Sequence, residues 1–215
     1  MTAKVILFPG VGSFGQAMTS LQQKGWSEAL KAYIRADRPF FGICLGMQSL
    51  FEGSEETPDM PGLGIIPGMI TKFDTSTGLK VPQIGWNGFS RVKAAAFLDE
   101  LQSDDTVYFV HSFCALPNEA NLEWILSVTD YGSTRYISAI QKGNVFATQF
   151  HPEKSGTVGL NILKSFLDRA GDVYDINAVI PASLGALEMF PVTTLVKRVI
   201  ACLDVRSNDQ VCIFV

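Results

Sequence analysis

The segment Gly42-Ile43-Cys44-Leu45-Gly46 constrains the fold most, because a cysteine stands centrally between two glycines. The apolar run 39–41 precedes it and the glycine-free residues 48–51 follow it. This order predicts a strand, a sharp turn and a helix, with a strained central residue and two glycines that let strand and helix pass closely. The cysteine would stand exposed at the helix N-terminus, where the dipole stabilises a thiolate. The alternative is a buried structural cysteine, since free cysteine is usually buried.

A cysteine nucleophile needs a base, and the chain has only two histidines. His151 follows residues 144–150, which have strand composition, and Pro152 ends that run. Glu153 lies two residues on, and positions two apart in an extended chain point to the same side, so that His151 and Glu153 address one site. The alternative is a loop histidine beside an incidental surface acid. We interpret the other histidine, His111, as structural.

A glycine-rich segment, PGVGSFG at residues 9–15, follows the strand-like residues 5–8. Backbone N–H groups of such a turn face an anion, either a phosphate or a developing oxyanion. The segment lacks a following Lys-Ser/Thr and the GxGxxG spacing, so the phosphate interpretation is weak. An oxyanion role agrees better with a cysteine nucleophile elsewhere in the chain.

Four segments occur in the order PGVGSFG, GICLGMQSLFEGSEE, YFVHSF and ATQFHPEKSG. Together they resemble the class I glutamine amidotransferases, and more narrowly the glutaminase part of imidazole glycerol phosphate synthase, from histidine biosynthesis. The resemblance covers residues 5–171. Residues 191–205, PVTTLVKRVIACLDV, resemble the linker and first barrel strand of the cyclase half, which fungal and plant members carry fused after the glutaminase.

The resemblance implies a set of site residues. The catalytic residues are Cys44, His151 and Glu153. The expected oxyanion hole consists of backbone N–H groups at Val11, Gly12 and Leu45. The remaining expectations are substrate contacts at Gly10, Gln48, Glu56, Ser112 and Phe113, and an interface with the cyclase at Trp86, Asn87 and Lys154. Without the resemblance, Glu56 and Lys154 would be taken as solvated surface charges and Trp86 as a core aromatic residue.

The same resemblance implies the reaction. Glutamine would be hydrolysed through a thioester, and ammonia would pass to the cyclase barrel that makes imidazole glycerol phosphate. We expect glutamine and the cyclase barrel as partners, and neither cofactor nor metal. The expected location is the cytoplasm, or a plastid if the source is a plant.

The order of strand and helix patterns predicts an α/β fold, with helices flanking a mostly parallel, flavodoxin-like sheet of the class I glutamine amidotransferase type. We expect helices at 16–24, 27–36, 94–101 and 156–170, the last with Leu160, Leu163, Phe166 and Leu167 on one face. The expected domains are a glutaminase domain at 1–171 without the family's N-terminal segment, a linker at 172–194, and an incomplete start of the cyclase barrel at 195–215.

Composition excludes several function classes. The net charge of −4 arises from 17 basic and 21 acidic residues without a basic patch, which argues against nucleic-acid binding. No apolar run approaches the roughly 20 residues that span a bilayer. The 4 cysteines form no CxxC pair, so a reducing compartment is the simplest interpretation.

Two other functions remain open from the sequence. One is a different cysteine hydrolase on the same turn, which would cleave a peptide or an ester. The other is a catalytically inactive, truncated fragment that keeps the motifs without turnover.

Overall fold

The computed structural model describes residues 3–76, 78–95, 98, 102 and 104–168. The expected linker at 172–194 and the expected barrel start at 195–215 lie outside these residues, as does most of the helix expected at 94–101.

The helices of the described part are short and the strands numerous. The α-helices are α1 (Phe14–Gln23), α2 (Trp26–Arg35), α3 (Leu45–Gln48) and α4 (Gly156–Asp168). The strands of the first half are β1 (Ile6–Gly10), β2 (Phe40–Cys44), β3 (Phe51–Ser54), β4 (Ile66–Lys72), β5 (Gln83–Gly88) and β6 (Ser90–Arg91). The strands of the second half are β7 (Thr106–His111), β8 (Phe113–Ala115), β9 (Ile125–Tyr131), β10 (Thr134–Lys142) and β11 (Val145–Thr148). Leu122–Trp124 and Pro152–Lys154 form 3-10 turns.

The main sheet has six strands in the order β1-β2-β11-β10-β9-β6. Strand β2 pairs in parallel with β1 and β11, whereas the β11–β10, β10–β9 and β9–β6 pairs are antiparallel. The prediction of an α/β fold is confirmed, but the expectation of a mostly parallel sheet was wrong, because the sheet is mixed. The physical reason is loop length: connections of two residues after β9 and β10 can join only antiparallel neighbours.

Helices cover both faces of this sheet, and the two faces have separate cores. Phe40 belongs to a cluster with residues of α1 and α2, and the adjacent Phe41 belongs to a cluster that includes Phe166 of α4. Successive strand residues point to opposite faces, so both must be apolar where both faces are covered. The Phe41 ring lies 4.6 Å from that of Phe146 and 5.1 Å from that of Phe166. Strand β2 is therefore the buried centre of the fold.

Helix α4 buries only part of the face that the pattern predicted, because Phe166 is buried and Leu163 is partly buried against the same core, but Leu160 and Leu167 are not. The buried residues are Gly159, Ile162 and Phe166, while Leu160 is 56% exposed and Leu167 is 49% exposed. The reason is a close backbone approach, because a Cβ at Gly159 would lie 1.9 Å from the carbonyl oxygen of Pro152. That contact sets the rotation of the helix about its axis.

Two smaller sheets flank the main one. Strands β3, β4 and β8 form a three-stranded sheet, and β5 and β7 form an antiparallel ribbon in which Trp86 lies opposite Tyr108. The carboxyl ends of the parallel strands β1, β2 and β11 meet at one edge of the main sheet. Ligand sites of α/β sheets form at such an edge.

Candidate active site

Cys44 is the last residue of β2 and stands at a strained turn. Its φ of 54° and ψ of −107° are rare for a residue with a side chain. The flanking glycines are required, since a Cβ on Gly46 would lie 1.8 Å from the carbonyl oxygen of Phe8 and one on Gly42 would lie 3.0 Å from the backbone of Gly46. The cysteine is 8% exposed. The local geometry is therefore that of a nucleophile elbow.

The helix that follows the elbow is shorter than its apolar sequence suggested. Helix α3 ends at Gln48, and residues up to Phe51 leave it to enter β3. One turn aligns few peptide dipoles, so the dipole of α3 contributes little to a thiolate on Cys44. Other groups around the sulfur must supply that stabilisation.

His151 and Glu153 are in direct contact. The Nδ1 of His151 donates to Oε1 of Glu153 over 2.7 Å, because a carboxylate only accepts. The contact does not come from an extended chain, as the sequence argument assumed: Pro152–Lys154 is a 3-10 turn that follows His151. The prediction of one shared site stands, with a different backbone path.

The electrostatics of this pair favour the imidazolium. Burial alone would lower the pKa of His151, but hydrogen bonds to Cys44 and Glu153, together with their negative charges, raise this pKa to about 9. Burial likewise opposes ionisation of Glu153, yet the hydrogen bond and charge of His151 hold the pKa of Glu153 below its ordinary value. Since Nδ1 faces Glu153, Nε2 is the ring nitrogen left for Cys44. The site is therefore arranged as a cysteine–histidine–glutamate series with His151 in the middle.

The glycine-rich turn lies beside the elbow. Gly10 at the end of β1 is in register with Cys44, and a Cβ on Gly10 would meet the Leu45 side chain at 2.9 Å. Gly12 has a φ of 95°, and Val11 is 63% exposed. Leu45 opens α3, so its N–H has no partner within the helix. Gly10 and Leu45 thus lie side by side next to Cys44, and the predicted donors Val11 and Gly12 follow Gly10 directly along the chain.

The predicted substrate contacts Gln48, Glu56 and Ser112 are partly engaged with other groups of the chain. Glu56 is exposed, and its carboxylate accepts the N–H of Phe14 at the start of α1 over 2.8 Å. The Gln48 amide donates to the carbonyl oxygens of Phe113 and of the Gln149 side chain, each over 3.0 Å. The carbonyl of Ser112 accepts the N–H of Phe73.

The three predicted interface residues differ in exposure. Trp86 is half-buried, and its ring lies 6.1 Å from that of Tyr108. A Cβ added to Gly156 would lie 3.7 Å from the Trp86 ring. Lys154 is also half-buried. Asn87 is only 2% exposed, and its amide donates to the carbonyl oxygen of Asp130. Trp86 and Lys154 are accessible, whereas Asn87 is engaged inside the chain.

Two further residues touch the site and were absent from the sequence analysis. Gln149, within the segment ATQFHPEKSG, donates its amide to the sulfur of Cys44 over 3.6 Å. The Ser155 hydroxyl donates to the carbonyl oxygen of His151 over 2.6 Å and accepts the N–H of Tyr108. The only sequence signal for either was its position within two to four residues of His151.

His111 lies apart from this series. Its Nδ1 donates to the carbonyl oxygen of Phe113 over 2.8 Å, and its ring lies 5.1 Å from that of Tyr136 and 5.2 Å from that of Phe73. Burial lowers the pKa of His111 to about 4, despite the hydrogen bond to Phe113, and the charge of His151 adds to the lowering. A neutral, buried imidazole among aromatic rings agrees with a structural role.

Neither a metal cluster nor a membrane helix is found in the part of the chain that the structure describes. Among those residues no group of three or more His, Cys, Asp and Glu side chains is placed to hold a metal ion. None of the described helices has both the length and the apolarity to cross a membrane.

Comparison with known proteins gives a consistent family. The family model "Glutamine amidotransferase class-I" matches residues 1–170. The chain is 48% identical over 210 residues to "Imidazole glycerol phosphate synthase hisHF, chloroplastic" of Arabidopsis thaliana, covering 98% of this chain and 33% of that protein. It is 43% identical over 164 residues to "Imidazole glycerol phosphate synthase subunit HisH" of a Synechococcus strain, covering 76% of this chain and 74% of that protein.

A solved structure supports the fold. The glutaminase domain of Trypanosoma brucei CTPS superposes with a TM-score of 0.51 at 17% sequence identity, covering 78% of this chain and 72% of that one. The chain thus spans about a third of the length of the Arabidopsis relative, and most of the length of the Synechococcus one.

Proposed function

Because this chain belongs to the class I glutamine amidotransferase family, we propose that it hydrolyses the side-chain amide of glutamine with Cys44 as nucleophile. The observation that carries the proposal is the His151 ring, whose Nδ1 donates to Glu153 over 2.7 Å and whose pKa is raised by the neighbouring Cys44 and Glu153. That arrangement meets the requirements of an activated cysteine: a base within reach and a third group that orients the base.

The first half of the reaction forms a thioester. The Cys44 thiolate attacks the amide carbon of glutamine, and the developing oxyanion is stabilised by backbone N–H groups at Leu45 and at Val11 or Gly12. Loss of one such donor typically lowers the rate by about a hundredfold or more. The protonated His151 gives its proton to the departing nitrogen, so that ammonia leaves and a glutamyl thioester remains on Cys44.

The second half restores the enzyme. Neutral His151 takes a proton from water as the water attacks the thioester carbon, and glutamate leaves while Cys44 regains its thiolate. Glu153 keeps Nδ1 protonated throughout, which leaves Nε2 for both proton transfers. The net change is glutamine plus water to glutamate plus ammonia.

The substrate is held, on this proposal, between the glycine-rich turn and the β8 side of the site. Gly10, Gln48, Glu56, Ser112 and Phe113 are the proposed contacts. Glu56 suits the amino group of glutamine because it is an exposed carboxylate, and within the described part of the chain its side chain accepts one hydrogen bond, from the N–H of Phe14.

Ammonia is passed, we further propose, to a cyclase that makes imidazole glycerol phosphate. This is supported by the names of both relatives and by residues 191–205, which resemble the start of a cyclase barrel. The proposed docking residues are Trp86, Asn87 and Lys154, with Trp86 and Lys154 making the direct contacts.

We also propose the domain organisation that the sequence indicated, and the family match over residues 1–170 supports its first part. Residues 1–171 form the glutaminase domain, 172–194 a linker, and 195–215 the start of the cyclase domain. For the location we propose the cytoplasm, or a plastid if the source is a plant, which the word chloroplastic in the name of the Arabidopsis relative supports.

The proposal is tested by covalent labelling with a glutamine-mimicking electrophile, followed by peptide mass spectrometry, together with an assay for released ammonia. We expect label on Cys44 alone, protection by excess glutamine, and loss of both label and turnover in Cys44→Ser. Cys114→Ala is the matched control, because Cys114 is also a free, buried cysteine but lies in β8. This control should keep both signals.

Three results would contradict the proposal in different ways. Label on Cys114, or label on Cys44 without protection by glutamine, would remove glutamine as substrate. Cleavage of peptides or esters without ammonia release would indicate a different cysteine hydrolase. A cooperatively folded chain with neither label nor turnover would indicate an inactive fragment.

A further inference from the structure

Two buried glutamines, Gln149 and Gln48, connect the sulfur of Cys44 to the backbone of Phe113 in β8. Gln149 is fully buried and Gln48 is 5% exposed, so their amides need partners within the protein. Gln48 donates to the carbonyl oxygen of Phe113 over 3.0 Å and to Oε1 of Gln149 over 3.0 Å. Gln149 in turn donates its Nε2 to the sulfur of Cys44 over 3.6 Å. A continuous series of hydrogen bonds therefore ends on the reacting atom.

The direction of this series is fixed by its far end. A backbone carbonyl can only accept, so the amide group of Gln48 that faces Phe113 must be its NH2. The second hydrogen of that NH2 points to Gln149, which must present its oxygen there. Gln149 is therefore left with its NH2 towards Cys44 and acts as a donor to the sulfur.

The position of Gln149 is also fixed by the backbone. Gln149 directly follows β11, and its N–H donates to the carbonyl oxygen of Ser138 in β10 over 2.9 Å. A side chain supported by the sheet is placed more accurately than one on a free loop. The donor is thus present before any substrate arrives.

We propose that Gln149 is a further catalytic residue, whose amide N–H holds the Cys44 sulfur as the thiolate, and that Gln48 is the positioning residue that orients this amide. A donor bonds more strongly to a thiolate than to a thiol, so it shifts the balance towards the reactive form. The one-turn helix α3 supplies little of this stabilisation. The inference rests on the proposed function of Cys44 as nucleophile.

The test is the pH dependence of alkylation of Cys44 by iodoacetamide, followed by peptide mass spectrometry on the full chain. In Gln149→Met the volume is kept and the donor is lost. We expect the midpoint of the alkylation profile to rise by about one pH unit, and the alkylation rate at pH 7 to fall by roughly tenfold. Gln48→Met should move the midpoint in the same direction by less, since Gln149 can then present either end of its amide.

Gln141→Met is the matched control. Gln141 is 7% exposed, and its amide donates to the carbonyl oxygen of Gly143, in the hairpin turn between β10 and β11 rather than at the elbow. Its alkylation midpoint should equal that of the unchanged chain. If the role of Gln149 were purely structural, the alkylation midpoints of Gln149→Met and Gln141→Met would shift by the same amount, or neither midpoint would shift.

An unchanged midpoint in a cooperatively folded Gln149→Met variant would overturn the inference. If that variant does not fold, Gln149→Glu carries the test, because it keeps the length and polarity but places an oxygen against the sulfur. It should raise the midpoint by more than one pH unit, and an equal or lower midpoint would overturn the inference. Iodoacetamide needs no glutamine, so a chain that never hydrolyses glutamine would contradict the proposed function while still reporting on Gln149.

Discussion

His151 and His111 lie in two regions of the molecule that bury an imidazole about equally, with 2% and 6% of each residue exposed. The pKa of His151 is nevertheless raised to about 9, and that of His111 is lowered to about 4. Both rings donate Nδ1 to an oxygen, but the acceptor is the Glu153 carboxylate for His151 and the neutral carbonyl of Phe113 for His111.

The difference shows that charge near the ring, and not burial, decides which histidine is suited to the proposed role of acid and base. Burial lowers the pKa of both rings because it disfavours the imidazolium. Only His151 has negative partners on both sides, Cys44 and Glu153, that outweigh this cost. His111 is surrounded by the rings of Phe73, Phe109 and Tyr136, which leave it neutral.

Replacing each histidine should give the largest contrast. We expect His151→Gln to lower the kcat of glutamine hydrolysis by about a thousandfold, since it removes general acid–base catalysis. His111→Gln, which keeps an N–H donor for Phe113, should lower kcat far less. Ammonia release in the two variants measures this. Loss of turnover in His111→Gln with retention in His151→Gln would reverse the assignment of roles.

Removing the carboxylate should make His151 resemble His111. In Glu153→Gln the ring loses its charged partner, and we expect its pKa to fall and kcat to drop by about a hundredfold. The loss should be smaller than for His151 itself, because the Glu153 side chain is 44% exposed and water can take its place. An NMR titration of the His151 ring gives the pKa. An unchanged pKa would show that Cys44 alone raises it.

The two histidines should also make stability depend on pH in opposite windows. The pKa of His111 is depressed in the folded state, so the unfolded chain binds the extra proton between pH 6.5 and about 4, and stability falls as pH falls through that window. From pH 7 to 5 this should cost about 2 kcal/mol of unfolding free energy. The pKa of His151 is elevated, so its contribution is present below pH 6.5 and is lost as pH rises to about 9.

Urea unfolding at pH 5, 7 and 9 separates these effects. His111→Gln should lose the extra destabilisation at pH 5 and keep the loss at pH 9, and His151→Gln should do the reverse. If the free energy of unfolding changes with pH equally in both variants and in the unchanged chain, neither histidine governs the pH dependence of stability.

The sequence predicted the parts of the molecule that depend on local rules. The elbow at Cys44, the fold class and the helices near α1, α2 and α4 follow from glycine spacing and apolar periodicity, which act within a few residues. The contact of His151 with Glu153 was expected too, although the backbone between them is a 3-10 turn.

The parts that were wrong or absent depend on distant contacts. The rotation of α4 is set by Gly159 against Pro152, a contact that the apolar pattern of the helix does not show. The mixed sheet is the exception, because the two-residue connections after β9 and β10 are a local signal, which the expectation of a mostly parallel sheet did not use. The role of Gln149 depends on Cys44, which is 105 residues away. No local pattern contains such information.

Ser155 is another residue whose role depends on distant contacts, and of the predicted losses of kcat, the one caused by its replacement should be the smallest. Its hydroxyl bonds both the carbonyl oxygen of His151 and the N–H of Tyr108, and the N–H of His151 bonds the carbonyl of Tyr108, so that β7 fixes the backbone of His151. Ser155→Ala leaves a buried N–H without a partner, which should cost roughly 1–3 kcal/mol. The looser imidazole should lower kcat by about tenfold.

Ser127→Ala is the control for this prediction, because Ser127 is equally buried and its hydroxyl bonds the Ser138 hydroxyl over 2.8 Å. It should lose stability without losing kcat. If the two variants lose kcat equally, the effect of Ser155 is one of general stability. If only Ser155→Ala lowers kcat, the two histidines also differ in how much they depend on a fixed backbone. A ring that transfers protons must be held in position, whereas a ring that only fills space need not be.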